Sequence, residues 1–112
     1  SQTELLQAYT RVGNMVKDAD DTQVNPDLFE TEEERALYGA VVAMQANLPQ
    51  KYAVYDYAGA AEVLAEGIGA INAFLDNVLV MHKDEAVKQN RLNLLTLTFS
   101  LIQPIGDIKK LS

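Results

Sequence analysis

The side chains of this chain best equipped for chemistry are cations, amides and phenols rather than nucleophiles. Lys83, Lys88 and Arg91 stand close together, and the three-residue spacing of Lys88 and Arg91 puts them on one face of a helix. Such a set can hold phosphates, and a guanidinium can also stack on an unpaired base or hydrogen-bond its edge. Arg91 has a second, structural reading as one half of an ion pair with Asp76 or Asp107, because one fixed acid is a sufficient partner for a guanidinium. Arg11, Asn14 and Lys17 form another polar set, in which the amide can read a base edge and the lysine can meet a phosphate; a solvated helix surface is the plain alternative. Tyr52, Tyr55 and Tyr57 gather beside Lys51 and offer a stacking platform for unpaired bases, although two of the three also suit the packed corner between two helices.

Other chemistries lack their residues. No glycine-rich phosphate loop and no serine or cysteine nucleophile motif occurs, and His82 is the single histidine, so no paired-imidazole metal site can form within the chain. His82 reads as a polar turn residue. The acidic stretch DADDTQVNPDLFE invites a calcium loop, but counting from Asp18 the sixth and twelfth positions are Gln23 and Phe29 where an EF-hand needs Gly and Glu. A solvated loop is the better description. Catalysis by these residues alone is not expected.

A length of 112 residues fits one domain, which buries roughly two-thirds of the surface of the extended chain. The absence of cysteine excludes disulfides and thiolate metal sites and suits a reducing compartment. No uninterrupted apolar run approaches the roughly 20 residues that span a bilayer, and the amino terminus lacks a signal-peptide pattern, so the chain reads as soluble. Sixteen acidic against nine basic side chains give a formal charge of -7, which opposes nonspecific attraction to nucleic acid. A site for RNA therefore has to gather its cations locally.

These groups must be positioned by helices. Leu5, Tyr9, Val12 and Val16 are spaced for one face of a first helix ending near Lys17. Thr31 and Glu34 make a capping box that opens a second helix with Leu37, Val41, Met44 and Leu48 as its buried stripe; Pro49 should kink it or end its regular part, with a short turn up to Tyr55. Asp56 can cap a third helix reaching Val80, with Tyr57, Ala61, Leu64, Ile68, Ile71, Leu75 and Val78 in register; Gly59, Gly67 and Gly69 point to close packing on a partner. Asp84 can cap a fourth, carrying Val87, Leu94 and Leu101 with Leu95 and Ile102 beside them, and Pro104 and Gly106 should stop it. The expectation is an all-α helical bundle of about four helices over residues 1–112, with one long acidic loop after the first. Because Ser1 falls in what reads as the middle of a helix, a fragment of a longer protein is expected.

Longer runs carry a resemblance. Ala73, Phe74, Leu75, Asp76, Val78, Val80 and Met81, then Asp84, then Asn90, Arg91, Leu92, Leu94 and Leu95 resemble the carboxy-terminal domain of bacterial-type glycyl-tRNA synthetase beta chains, a member of the DALR anticodon-binding group. Arg11, Val12, Asn14 and Met15 resemble that family's first helix, and Ile105, Asp107, Ile108, Lys110 and Leu111 its closing run. The chain departs from it at Gly59-Ala60-Ala61, where the family has Asp-Ala-Leu, and at Gly67-Ile68, where it has Leu-Arg.

The resemblance implies an anticodon-binding fragment, not itself catalytic, of a tetrameric glycine-tRNA ligase with two alpha and two beta chains. It implies glycine tRNA and the alpha subunit as partners, with ATP and magnesium on the alpha subunit and no cofactor, DNA or membrane here. It also implies a cytoplasmic or plastid-stromal setting. Candidate RNA-binding residues are then Arg11, Asn14, Lys17, Lys51, Tyr55, Lys83, Lys88 and Arg91. An arginyl-type anticodon domain and a helical subunit-docking module are the alternatives.

Overall fold

Thr31 opens a helix as its composition requires. Its hydroxyl accepts the Glu34 amide while the Glu34 carboxylate accepts the Thr31 amide, so two otherwise orphaned donors are satisfied reciprocally. In the computed structural model, which describes residues 2–17 and 19–111, this is the second of four helices: α1 Gln2–Val16, α2 Glu32–Ala53, α3 Tyr57–Asn77 and α4 Glu85–Leu111, with a short 3-10 turn at Pro26–Leu28. Ser1, Asp18 and Ser112 lie outside the described residues, as do the side chains of Gln2, Ile108, Lys109, Lys110 and Leu111. Asp56 caps α3 through the Gly59 amide at 2.9 Å, and Asp84 caps α4 through the Ala86 and Val87 amides at 2.9 and 3.3 Å.

The helices alternate in direction. α1 and α2 each pack on α3 and α4, so the long loop after α1 crosses one end of the bundle. Leu5, Ala8, Val12 and Val16 of α1 meet Leu37, Val41, Met44 and Leu48 of α2, Leu64, Ile71 and Phe74 of α3, and Leu94, Leu95, Ile102 and Ile105 of α4 in one core. α3 is long and apolar enough by composition to cross a membrane, yet Ala60, Leu64, Ile71 and Phe74 are buried among the other helices, as in the core helix of a bundle. Phe74 rather than Leu75 is its deepest residue near the carboxy end. Gly67 does face α2 closely, where an added Cβ would meet the Met44 side chain, but nothing lies within 4 Å of such an atom at Gly69, and Gly59 accommodates its own cap, Asp56.

Pro49 is followed, after one more turn of helix, by the expected turn at Val54 and Tyr55, whereas Pro104 and Gly106 do not stop the last helix. α2 runs through Pro49 to Ala53, and α4 runs through Pro104 and Gly106 to Leu111. Burial supplies what the lost hydrogen bonds do not: Ile102 and Ile105 flank Pro104 at full burial, and the Tyr9 ring lies against Gly106. Tyr9 also stacks on Phe99 at 5.2 Å and donates to Asp107, which fixes α1 along the last turns of α4. An interior proline costs roughly 3 kcal/mol, a sum that this packing offsets.

α3 stops three residues short of Val80. Val78 takes extended angles, φ -107° and ψ 127°, and from it the chain alternates: Val78 and Val80 are buried while Leu79 and Met81 are exposed. Val78 fits both a helical spacing after Leu75 and a two-residue alternation, and tertiary contacts select the second.

Candidate nucleic-acid interface

The two arginines at the centre of the site question sit in opposite environments. Arg91 is only 3% exposed. Its Nη1 donates to the Leu79 carbonyl at 2.7 Å, and its Nη2 lies 3.2 Å from both Glu30 Oε1 and Glu34 Oε1. Nε faces Glu34 Oε2 at 3.2 Å without hydrogen-bond alignment, and neither atom has another partner, so that contact is a charge pair. Glu34 is fully buried. Burial by itself raises its carboxyl, but hydrogen bonds from Arg91, from the Glu30 and Thr31 amides and from the Thr31 hydroxyl outweigh it and hold the group below its ordinary value. The expected partners, Asp76 and Asp107, are thus not those of Arg91, and the residue leaves the candidate interface because its donors point into the protein.

The rest of the NRLN run serves the same end of the bundle. Asn90 exchanges two hydrogen bonds with the Asn25 backbone, at 2.7 and 3.0 Å, and Asn93 donates to the Gln23 carbonyl at 2.8 Å. These amides pin the acidic loop onto α4, so its backbone is held rather than merely solvated. His82 is a half-buried turn residue, as its position indicated: Nδ1 accepts the Asp84 amide and Nε2 faces Glu30 at 3.4 Å.

Arg11 is the arginine that reaches Asp76. Nη2 donates to Asp76 Oδ1 at 2.7 Å and Nη1 to Asn72 Oδ1 at 3.0 Å, bridging α1 to α3 in solvent. These three residues line a groove of about 640 Å³ together with Gln7, Thr10 and Thr3. Its wall carries free donors on Arg11 and on the Asn72 amide and a free acceptor, Asp76 Oδ2, beside a hydroxyl and a second amide. On the other side of Arg11 lies an apolar slot lined by Met15, Leu75, Leu79 and Met81. Asn14, one turn further along α1, and Lys17, in the turn just after it, are exposed, as is Lys83 in the turn before α4; Lys88 is half-buried, with Glu85 at 4.0 Å.

Lys51 and Tyr55 do not join this group. They occupy the α2–α3 corner, and the residues of α3 between Asp56 and Asp76 separate it from Arg11 by about 30 Å. Tyr55 adopts φ 58° as the left-handed residue of a Schellman-type cap, with the Asp56 amide bonded to the Lys51 carbonyl at 2.8 Å. Its ring is exposed, whereas Tyr52 donates to the Leu101 carbonyl at 2.8 Å and Tyr57 packs on the core, as expected for two of the three. Lys51 lies 3.6 Å from Asp56.

Asn72, Gln7, Thr10 and Leu79 were not singled out by sequence, and Met81 entered only through the family resemblance, not as a site residue. The four-residue spacing of Asn72 and Asp76 on α3 was the signal available for the groove, and the Val-Leu-Val-Met alternation the signal for the slot.

The family described as DALR anticodon binding domain matches residues 5–108 of the chain. Among curated relatives, a glycine–tRNA ligase beta subunit from Thermodesulfovibrio yellowstonii is 37% identical over 108 residues, covering 96% of this chain and 16% of that protein. One from Neisseria gonorrhoeae is 39% identical over 106 residues, covering 93% of this chain and 84% of its partner sequence. No solved structure matches. The chain spans about 15–16% of the length of the longer curated relatives it matches. With an all-α bundle and a matching family over nearly its whole length, the chain belongs to the DALR anticodon-binding domains, in the form found in glycine–tRNA ligase beta subunits.

Proposed function

We propose that this domain reads the anticodon loop of glycine tRNA, as the carboxy-terminal unit of a cytoplasmic glycine–tRNA ligase beta chain. In this reading the alpha subunit, in a tetramer of two alpha and two beta chains, binds ATP and magnesium and performs the ligation; recognition here is remote from that chemistry. The observation that supports it is the α1–α3 groove, where Arg11, Asn72 and Asp76 converge with both donors and acceptors left over. Unpaired loop bases expose edges that a duplex hides. A cytosine presents an amino donor beside acceptors, so a carboxylate oxygen of Asp76 and the N–H groups of Arg11 or Asn72 are complementary to it. The acidity of the chain is then compatible with RNA binding, because one acid belongs in the site.

The test is a titration with the glycine anticodon stem-loop and with a version lacking both anticodon cytosines. The proposal expects the second to bind more weakly; equal affinity overturns base reading. Docking on another subunit through the small-residue surfaces of α2 and α3 is the second reading, favoured by Gly39 and Gly69, around which space is open. Charge reversal of Arg11, Lys17 and Lys88 separates the two: loss of stem-loop binding with the fold intact supports RNA, and failed assembly with unchanged RNA binding supports docking.

A further inference from the structure

The α1–α3 groove accounts for edges but leaves unexplained the apolar slot on the other side of Arg11. Met15 is 41% exposed, Leu79 67% and Met81 66%, and with Leu75 they line a slot of about 370 Å³. Three of the large apolar side chains that this protein leaves in water are gathered in one place. The exposure of Leu79 and Met81 is enforced: Arg91 holds the Leu79 carbonyl from inside, and the alternation of the extended segment that buries Val78 and Val80 turns these two outward.

Resting on the anticodon-loop reading above, we propose that this slot is a stacking subsite for the face of one unpaired nucleobase, adjacent to the groove that reads the edge of another. The rim supports an RNA occupant. Arg11 lines both cavities, and Lys17 and Lys83, each two residues along the chain from a slot methionine, are exposed, so cations stand near this apolar floor in an otherwise acidic protein. Two acids adjoining the slot segment are engaged, Asp76 with Arg11 and Asp84 as a helix cap. The size also favours a base over a protein, since a stable protein interface engages roughly 20–30 residues on each side and this slot is formed by a handful. Thioether and aliphatic groups suit the flat π-face of any base, because the contact needs no hydrogen-bond pattern.

The test uses the full-length protein that carries this domain, glycine anticodon stem-loops with a single abasic position moved through the loop, and Met15→Ala/Met81→Ala beside wild type. The inference expects one position where removing the base weakens wild-type binding about tenfold but weakens the double variant by about twofold or less, at an unchanged salt slope because the phosphate contacts remain. Met81→Leu, which keeps the apolar surface, should retain wild-type behaviour, and an unchanged thermal midpoint excludes unfolding as the cause. Abasic costs that are the same in variant and wild type at every position overturn the subsite while leaving cytosine reading standing. A variant that binds RNA normally but no longer assembles with the ligase overturns it in favour of a protein contact. Failure of wild type to bind any stem-loop removes the anticodon reading and this inference together.

Discussion

Arg11 and Arg91 are the same residue type, each held by acid, and they do opposite work. Arg91 is enclosed with Glu34 between the amino ends of α2 and α4, with every direction of its guanidinium filled by carboxylate or carbonyl. Arg11 bridges Asn72 and Asp76 across an open groove and keeps donors facing water. An arginine in a family signature is therefore no evidence of contact with RNA until its surroundings are known. Here the buried one shapes the surface that the exposed one shares.

The contrast should be widest in stability. Arg91→Met leaves the Glu34 carboxylate buried without its cation, and removing one partner of such a pair costs about 3–5 kcal/mol, measurable by urea unfolding. Arg11→Met breaks a solvent-exposed pair and should cost about 1 kcal/mol or less. A small loss for Arg91→Met would mean that the pair is hydrated and the two regions are alike.

Acid sharpens the same difference. Because the folded Glu34 carboxyl is held below its ordinary value of 4.5, its contribution is fully present above that pH and is lost as pH falls through the lower, folded value. Glu34→Gln should flatten this part of the stability–pH profile, followed by thermal melts at stepped pH.

Packing effects come next. Gly106→Ala drives a methyl group into the Tyr9 ring and should cost about 1–3 kcal/mol. Gly67→Ala meets only the flexible end of Met44 and should cost less, by the same denaturation assay. Thr31→Ala removes the capping hydroxyl for about 1 kcal/mol, and a larger loss would show that the cap also supports the Arg91 cluster through the Thr31 bond to Glu34.

The parts legible in sequence were local. The caps at Thr31, Asp56 and Asp84 and the stripe Leu37, Val41, Met44 and Leu48 need only neighbours within a few residues, and each stands where its spacing put it. What was not legible depends on distant partners. Asp76 and Asp107 were recognisable as acids awaiting a partner, but only the fold assigns them to Arg11 and Tyr9 and gives Arg91 to Glu34 and Glu30. Pro104 and Gly106 carry a strong local stop signal that the burial of Ile102 and Ile105 overrides. The extended segment after Asn77 was hidden because Val78 satisfies both periodicities.

The most direct measurement is the affinity of Arg11→Met for the glycine anticodon stem-loop with and without its two cytosines. Wild type should prefer the cytosine-bearing loop, and the variant should lose most of that preference while melting within a few degrees of wild type. A variant that keeps the full preference would contradict the assignment of base reading to the α1–α3 groove.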